Sequence, residues 1–357
     1  MALFGKKKGL VGLDIGSSAV KAVELKSGGK GGAEHQLVNI GMEALPPEAI
    51  VDGAIMDSGA VIDAIQRLFT SQKIKTSDVA TSVSGNAVIV KKISLPQMSP
   101  EELAESIHWE AEQYIPFDIQ DVNLDYQVVG QGSGSAAGTM DVLLVAAKKE
   151  KIADYTGVIS QAGRSPVIVD VDAFALQNAY EVNYGLDPSL VVALVNFGAS
   201  AVNINILSGG QSLFTRDISI GGNAYTDALQ RELNIPYETA DALKRGLHVE
   251  GYSMELARPT IRAVTENVLL EIQKTFDFFR GTTGSDRIDR LVVSGGASRV
   301  DGFVDMLAER FDSHVELFDP FKKVSFDADK FGVMSAADVQ ATSAVAVGLA
   351  LRKVGDR

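Results

Sequence analysis

The phrase LDIGSSAVKAVEL at residues 13–25 returns 182 positions later as VNFGASAVNINIL at residues 195–207. Gly16 aligns with Gly198, Ser18 with Ser200, Ala19 with Ala201, Val20 with Val202 and Leu25 with Leu207. Each copy reads as an apolar strand ending in Asp14 or Asn196, then a Gly-centred turn, then a second strand. A chain that carries this unit twice is expected to build two comparable lobes, an α/β fold with internal duplication. Such turns can aim successive backbone N–H groups at an anion, because glycine adopts positive φ and permits close approach. Either copy alone is better read as an ordinary hairpin whose glycine serves only the turn. The pair, joined by a third glycine cluster at Ser294, Gly295, Gly296, Ala297 and Ser298 between a strand and a helix, favours a nucleotide site between the lobes.

The periodicities fill in the frame. Residues 9–25 read as a strand, turn and strand, SGGKGGAEH (27–35) as the next turn and QLVNIGMEAL as a further strand. Val61, Ile65, Leu68 and Phe69 mark a helix over 58–72, and 79–95 alternates as strand. Ser99, Pro100 and Glu102 make a capping box with proline at the first helical position. That helix buries Leu103, Ile107, Ala111 and Tyr114 and leaves Trp109, the one tryptophan, on the opposite side. Cover by another subdomain is the plainer expectation for Trp109, and anchoring of a partner the alternative. Two strands, NLDYQVVG and MDVLLVAAK, joined by the loop QGSGSAAGT, and a helix over 149–162 complete an α+β insertion at about 79–165. VIVDVDAFALQNAY (167–180) passes from strand to helix. Helices follow at 223–234, 237–247 and 258–280, then strand LVVSGGAS, helix VDGFVDMLAERF and a final helix at 338–352. The expected division is a first lobe over 1–185, a second over 186–335, and a C-terminal helix over 336–357 returning to the first lobe.

Charge and composition narrow the partners. The net charge is −13 and Lys6, Lys7 and Lys8 form the single basic run, so a cationic surface for nucleic acid is not expected. The lysine run reads as a solvated tail, with weak attraction to an acidic membrane as the alternative. With no cysteine, disulfides and thiolate metal sites are excluded. The start lacks the apolar core of a secretory signal and no 18-residue apolar stretch occurs, which points to a cytoplasmic protein.

The three glycine segments resemble the phosphate-1, phosphate-2 and adenosine motifs of the actin-like ATPase superfamily, which includes actin, sugar kinases, chaperone ATPases, MreB and FtsA. Ile220-Gly221-Gly222-Asn223 resembles the Gly-Gly turn after phosphate-2. Ala240-Asp241-Ala242-Leu243-Lys244 resembles the A-E-x-x-K helix that touches ribose and adenine, with Asp241 one methylene shorter than the usual Glu. Asp170 falls where chaperone ATPases carry a Glu that helps position the attacking water. Within the superfamily, M-S-P-E-E-L at 98–103, E-A-E-Q-Y-I-P-F at 110–117 and the short basic start resemble the PilM family of type IV pilus assembly, whose fold is similar to FtsA. FtsA itself continues into a linker and an amphipathic membrane helix, whereas this chain stops at Arg357.

The resemblance implies an actin-like (ribonuclease H-like) two-lobed fold that binds ATP and Mg²⁺ in the interlobe cleft. It also implies a groove on the first lobe for the N-terminal cytoplasmic peptide of PilN, an inner-membrane partner, with other pilus inner-membrane and motor components nearby. Membrane attachment would come only through partners, at the inner face of the inner membrane. Backbone amides of Gly16, Ser17, Ser18, Gly198 and Ala199 are expected at the phosphates. Gly222, Asn223, Asp241, Lys244, Gly295, Gly296, Ala297 and Ser298 are expected around the nucleoside. Asp14 would orient the water shell of the metal ion. Lys21 either reaches a phosphate or is an exposed strand lysine. Asn196 stands where much of the superfamily has an Asp, and an amide has no charge for Mg²⁺ and takes up no proton, so slow hydrolysis is expected. Ordinary turnover supported by Asp14 and Asp170, and filament formation, are the competing expectations.

Overall fold

The computed structural model describes residues 9–28, 34–131, 138–283, 287–327 and 336–356. Lys6–Lys8, the centre of the turn expected at 27–35 and most of the loop at 131–139 lie outside them. Strand β1 (Val11–Ile15) is buried along its whole length, and β2 (Ala19–Ser27) pairs with it antiparallel, setting Asp14 opposite Lys21. β3 (His35–Ala44) follows, then a small hairpin of β4 (Ile50–Val51) and β5 (Ala54–Ile55). Helix α1 (Ser58–Ser71) starts where the Asp57 carboxylate accepts from Ala60 N–H at 2.9 Å. β6 (Asp78–Val83) then returns parallel to β1.

β7 (Val88–Pro96), α2 (Pro100–Glu112), β8 (Val122–Gln131) and β9 (Thr139–Lys148) form a separate unit, a three-stranded sheet in the order β7-β9-β8. Its own core joins Ile93, Leu95, Val142 and Leu144 to Leu103, Ile107 and Ala111 of α2. The capping box is present: Ser99 Oγ accepts from Glu102 N–H at 3.2 Å and Ser99 N–H donates to the Glu102 carboxylate at 2.8 Å. Trp109 is 74% exposed, so no other part of the described chain covers it, contrary to the plainer expectation.

α3 (Lys149–Gln161) and β10 (Ser165–Val171) rejoin the first sheet, and α4 (Asp172–Tyr184) crosses beneath it. The inserted unit is therefore narrower than the expected 79–165. Residues 78–83 pair with β1 in the main sheet, residues 165–171 pair with 78–83, and Tyr155, Val158 and Ile159 of α3 share a core with α1. The sequence blurs this boundary because β6 and β7 follow one another with only Ser84, Gly85, Asn86 and Ala87 between them.

The second half repeats the plan. It comprises β11 (Val191–Phe197), β12 (Val202–Ser208), β13 (Gln211–Ile218), α5 (Asn223–Leu233), α6 (Tyr237–Lys244), α7 (Met254–Thr283), β14 (Arg290–Ser294), α8 (Phe303–Phe311) and β15 (His314–Leu317). Its sheet runs β13-β12-β11-β14-β15; the first runs β3-β2-β1-β6-β10, with short β16 (Val324–Ser325) added beside β3. In both, three antiparallel strands continue into two parallel ones. The repeated phrase occupies the same two strands each time, and Asn196 faces Asn203 as Asp14 faces Lys21.

The helix expected at 338–352 is two pieces, α9 (Ala336–Thr342) and α10 (Ala344–Ala350). The Ala341 carbonyl accepts from Gly295 N–H at 2.7 Å, which draws it out of the helical ladder and tethers the bend to the third glycine loop. All seven residues of α10 are buried, as a helix apolar on every side must be. With α4 it fills the space between the sheets, where Leu176 and Tyr180 meet Val23, Leu194, Val292 and Val347 in one core. Two glycines set this packing: a Cβ on Gly348 would lie 1.7 Å from Ala175 O, and one on Gly12 2.1 Å from Ala346 O.

Candidate functional site

A cavity of about 530 Å³ opens between the two sheets and is lined from both halves of the chain. The repeated turns meet there. Gly16 N–H donates to Ala19 O at 3.1 Å and Gly198 N–H to Ala201 O at 2.9 Å, the same closure in each copy, and Ser17 Oγ lies 2.6 Å from Ser200 Oγ across the gap. Neither glycine has positive φ, which corrects the reason given for them from sequence. At Gly198 the demand is space, since a Cβ there would sit 3.1 Å from Ala201 O. Gly295 is the one that needs both: φ is +90° and a Cβ would meet Phe197 O at 2.2 Å.

Next to the first turn, Lys21 Nζ donates to Asp14 Oδ2 at 2.8 Å, both side chains largely withdrawn from solvent, so Lys21 is a cleft lysine and not an exposed one. The duplicate position replaces this ion pair with two amides: Asn196 Nδ2 donates to Asn203 Oδ1 at 3.1 Å, and Asn196 Oδ1 accepts from Ser294 Oγ at 3.3 Å. Asn203 Nδ2 in turn donates to Asp217 Oδ1 at 2.8 Å.

Asp170 does not reach the cavity. Its side chain is 7% exposed and lies 3.5 Å from Arg352 Nη1 on the far side of β10, where burial raises its pKa and Arg352 partly offsets this. Asp172 lines the cavity instead. Strand alternation would put residues 170 and 172 on one face, but the chain turns into α4 at Asp172, which swings that carboxylate into the cleft, where Ser82 Oγ donates to it at 2.5 Å. Burial first, then the charges of Asp14 and Asp217, push its pKa up from 3.8 to about 6.

The far end of the cavity is built by α5, α6 and the third glycine loop. Gly222 N–H donates to Gly198 O at 2.9 Å and Asn223 N–H to Ala199 O at 2.8 Å, binding the start of α5 to the second turn. Tyr237, Asp241, Lys244 and Arg245 recur on one face of α6 and line the wall. The Lys244 ammonium is buried between Asp241 (2.7 Å) and Thr226 Oγ1 (2.8 Å). Gly295, Gly296, Ala297 and Arg299 line the cavity, whereas Ser298 turns its hydroxyl back to Gly295 O at 2.7 Å and braces its own loop. Sequence reasoning missed Asp172, Asn203, Asp217, Tyr237 and Arg299. Asn203 was within reach, because it stands 182 positions after Lys21, the offset of the whole repeat.

The donor set suits a nucleotide phosphate chain accompanied by a cation. Asp14, Asp52, Asp172, Asp217, Asp241 and Asp338 outnumber Lys21, Lys244, Arg245 and Arg299 along the walls, so a bare triphosphate would meet net repulsion that a divalent ion relieves. Among the described residues no three His, Cys, Asp or Glu side chains are grouped to ligate a metal, so such an ion would be held through water and phosphate oxygens. Asp14 and Asp172 are placed to accept from those waters. We expect Mg-ATP affinity to weaken as pH falls through about 6, where Asp172 takes up its proton, and the Asp172→Asn variant to lose that dependence in calorimetry. The sign for folding is opposite. The folded, ligand-free chain holds a proton between about 4 and 6 that the unfolded chain releases, so this group's contribution to stability falls as pH rises through that window.

Comparison with known proteins places the chain. A family model described as type IV pilus assembly protein PilM matches residues 12–354. The chain belongs to that family. A solved structure described as a PilM-PilN type IV pilus biogenesis complex superimposes with a TM-score of 0.85 at 28% identity, covering 98% of this chain and 100% of that one. The cell division protein FtsA of Neisseria meningitidis is 22% identical over 84% of this chain and 81% of its own length. FtsA of Pseudomonas aeruginosa is 23% identical over 90% and 85%. MreB 5 of Spiroplasma citri, solved bound to AMPPNP, shares the fold at a TM-score of 0.52 and 14% identity, covering 96% of this chain and 95% of that one. The fold is accordingly actin-like, and the chain is an actin-like protein of type IV pilus assembly. No helix among the described residues is long and apolar enough to cross a membrane.

Proposed function

We propose that the chain is an ATP-binding adaptor of pilus assembly: its two lobes close on Mg-ATP, and its first lobe holds the N-terminal peptide of a PilN-type inner-membrane partner. It would work on the cytoplasmic side of that membrane, attached through the partner. The observation that carries the nucleotide half is the meeting of the duplicated turns, Ser17 against Ser200 at 2.6 Å, at the floor of a cavity of nucleotide size. The PilN half rests on the family and on the likeness to the PilM-PilN complex. Differential affinity of the open and closed cleft is what would couple nucleotide to partner. Calorimetry with Mg-ATP, followed by titration of the partner peptide with and without nucleotide, tests both halves; no uptake of nucleotide defeats the first, and identical peptide affinities defeat the switch.

Asn196 and Asn203 supply hydrogen bonds where a general base would need a proton acceptor, which supports slow turnover. Asp172 favours a second reading, a working ATPase, since a carboxylate with a pKa of about 6 inside the cleft is matched to taking a proton from water near neutrality. Steady-state phosphate release decides between them: the adaptor reading expects well under ~1 turnover per second, toward the low side of enzyme rates. Under that reading Asn196→Asp restores a charge and raises the rate by about 10-fold or more.

A further inference from the structure

The inserted sheet belongs covalently to the first half of the chain, yet it is seated on the second. β13 is the edge strand of the second sheet, and β7 lies along it. Gln211 Nε2, at the start of β13, donates to Val129 O on β8 at 2.7 Å. At the other end of β13, Asp217 Oδ2 accepts from Gly85 N–H at 2.5 Å, in the loop through which the insertion leaves β6. The other oxygen of the same carboxylate is held by Asn203, which is bonded to Asn196 at the end of β11. One carboxylate thus stands between the strand that enters the second phosphate turn and the root of the inserted sheet, and Ser84, Gly85, Asn86, Asn203 and Asp217 all face the cleft.

We propose that Asp217 is a positioning residue: by gripping Gly85 N–H across the cleft, it ties closure around a charged ligand to the seating of the inserted sheet on β13. The claim that a ligand drives closure rests on the nucleotide reading above. Without a cation, Asp217 of the second half and Asp14 of the first both raise the cost of charging Asp172. A divalent ion held through water beside Asp14 and Asp172 would offset this repulsion and favour the approach of Asp217 to the first half. That is the direction which holds Gly85 N–H on Asp217. Separating Ser17 from Ser200 would pull Asp217 away from Gly85 and Gln211 away from Val129, so an open cleft releases the insertion. A carboxylate that merely satisfied local donors would show no such dependence.

Hydrogen exchange by mass spectrometry on the full chain, read over residues 84–96, tests the proposal. In the unmodified protein we expect slow exchange at Gly85 and about 5-fold slower exchange across the segment with Mg-ATP. Asp217→Ala should speed exchange at Gly85 at least about 10-fold and erase the response of β7 to nucleotide. Asp217→Asn keeps an acceptor oxygen and should retain part of the protection, which guards against a fold failure of the alanine variant. Unchanged exchange at Gly85 in folded Asp217→Ala overturns the latch whatever the nucleotide does. If the unmodified chain binds Mg-ATP in calorimetry but residues 84–96 exchange identically, the coupling is overturned. If it binds none, the nucleotide reading fails instead, and the ligand-free comparison of variant and parent still decides the latch.

Discussion

Replacing Asp14 by alanine is expected to abolish magnesium-dependent ATP binding. The carboxylate sits at the end of β1 beside the first glycine turn, and it is the partner of Lys21 at 2.8 Å. Its removal costs the site an acceptor for the waters of the cation. It also leaves the Lys21 ammonium, 18% exposed, without its counter-ion and free to swing to a phosphate. The two effects act differently on the two ligands. Affinity for Mg-ATP should fall at least ~100-fold, about 2.7 kcal/mol, while ATP in EDTA is affected much less. Because the pair retains some solvent contact, the loss of folding stability should stay near ~1 kcal/mol, so a circular dichroism melt separates a lost site from a lost fold. Asp14→Asn keeps the contact with Lys21 and serves as the charge-only variant. Undiminished Mg-ATP affinity in Asp14→Ala would mean that the cleft has been assigned the wrong chemistry.

The second large effect is structural. Gly348→Ala adds one methyl group on α10, at a point only 1.7 Å from the Ala175 carbonyl oxygen on α4. Backbone cannot rotate away as a side chain does, so the two helices must part. Overpacking of this kind costs about 1–3 kcal/mol where neighbours can yield, and here the neighbour is a rigid helix, so the expected loss is ~3 kcal/mol or more. On a thermal melt that is a drop of roughly 4 °C for a chain of this size. Since α4 carries Asp172 at its start, nucleotide affinity should fall as well, a linkage a surface substitution would not show. Gly157→Ala is a useful control: it also adds one methyl group to a helix, α3, but a Cβ there meets no atom within 4 Å.

Much of this is legible in the sequence alone. The 182-residue offset carried the duplication, because two β-turn-β units that bury the same positions must place their turns alike. The caps of α2 were readable since their chemistry is local: Ser99, Pro100 and Glu102 act within one turn. What stayed hidden depends on contacts far apart in sequence. Asp172 and Asp170 differ only in where a strand becomes a helix, a boundary that residue pattern leaves uncertain by more than two positions. Asp217 lies in a strand that reads as any alternating strand, and its partner Gly85 is 132 residues away. The edge of the insertion is hidden for a related reason, as β6 and β7 follow one another after a four-residue turn but enter different sheets.

The placement of α10 has a consequence for how the chain is made. Val345 and Leu349 pack against Leu10, Ala80 and Ala175, and Ala346 lies against Gly12 on the first strand. During synthesis at about 5–20 residues per second, β1 (Val11–Ile15) emerges from the ribosome long before its covering helix (Ala344–Ala350). Until then an apolar strand face waits without its native cover. A nascent chain stalled before residue 344 should engage a holding chaperone, and release once that helix clears the exit tunnel.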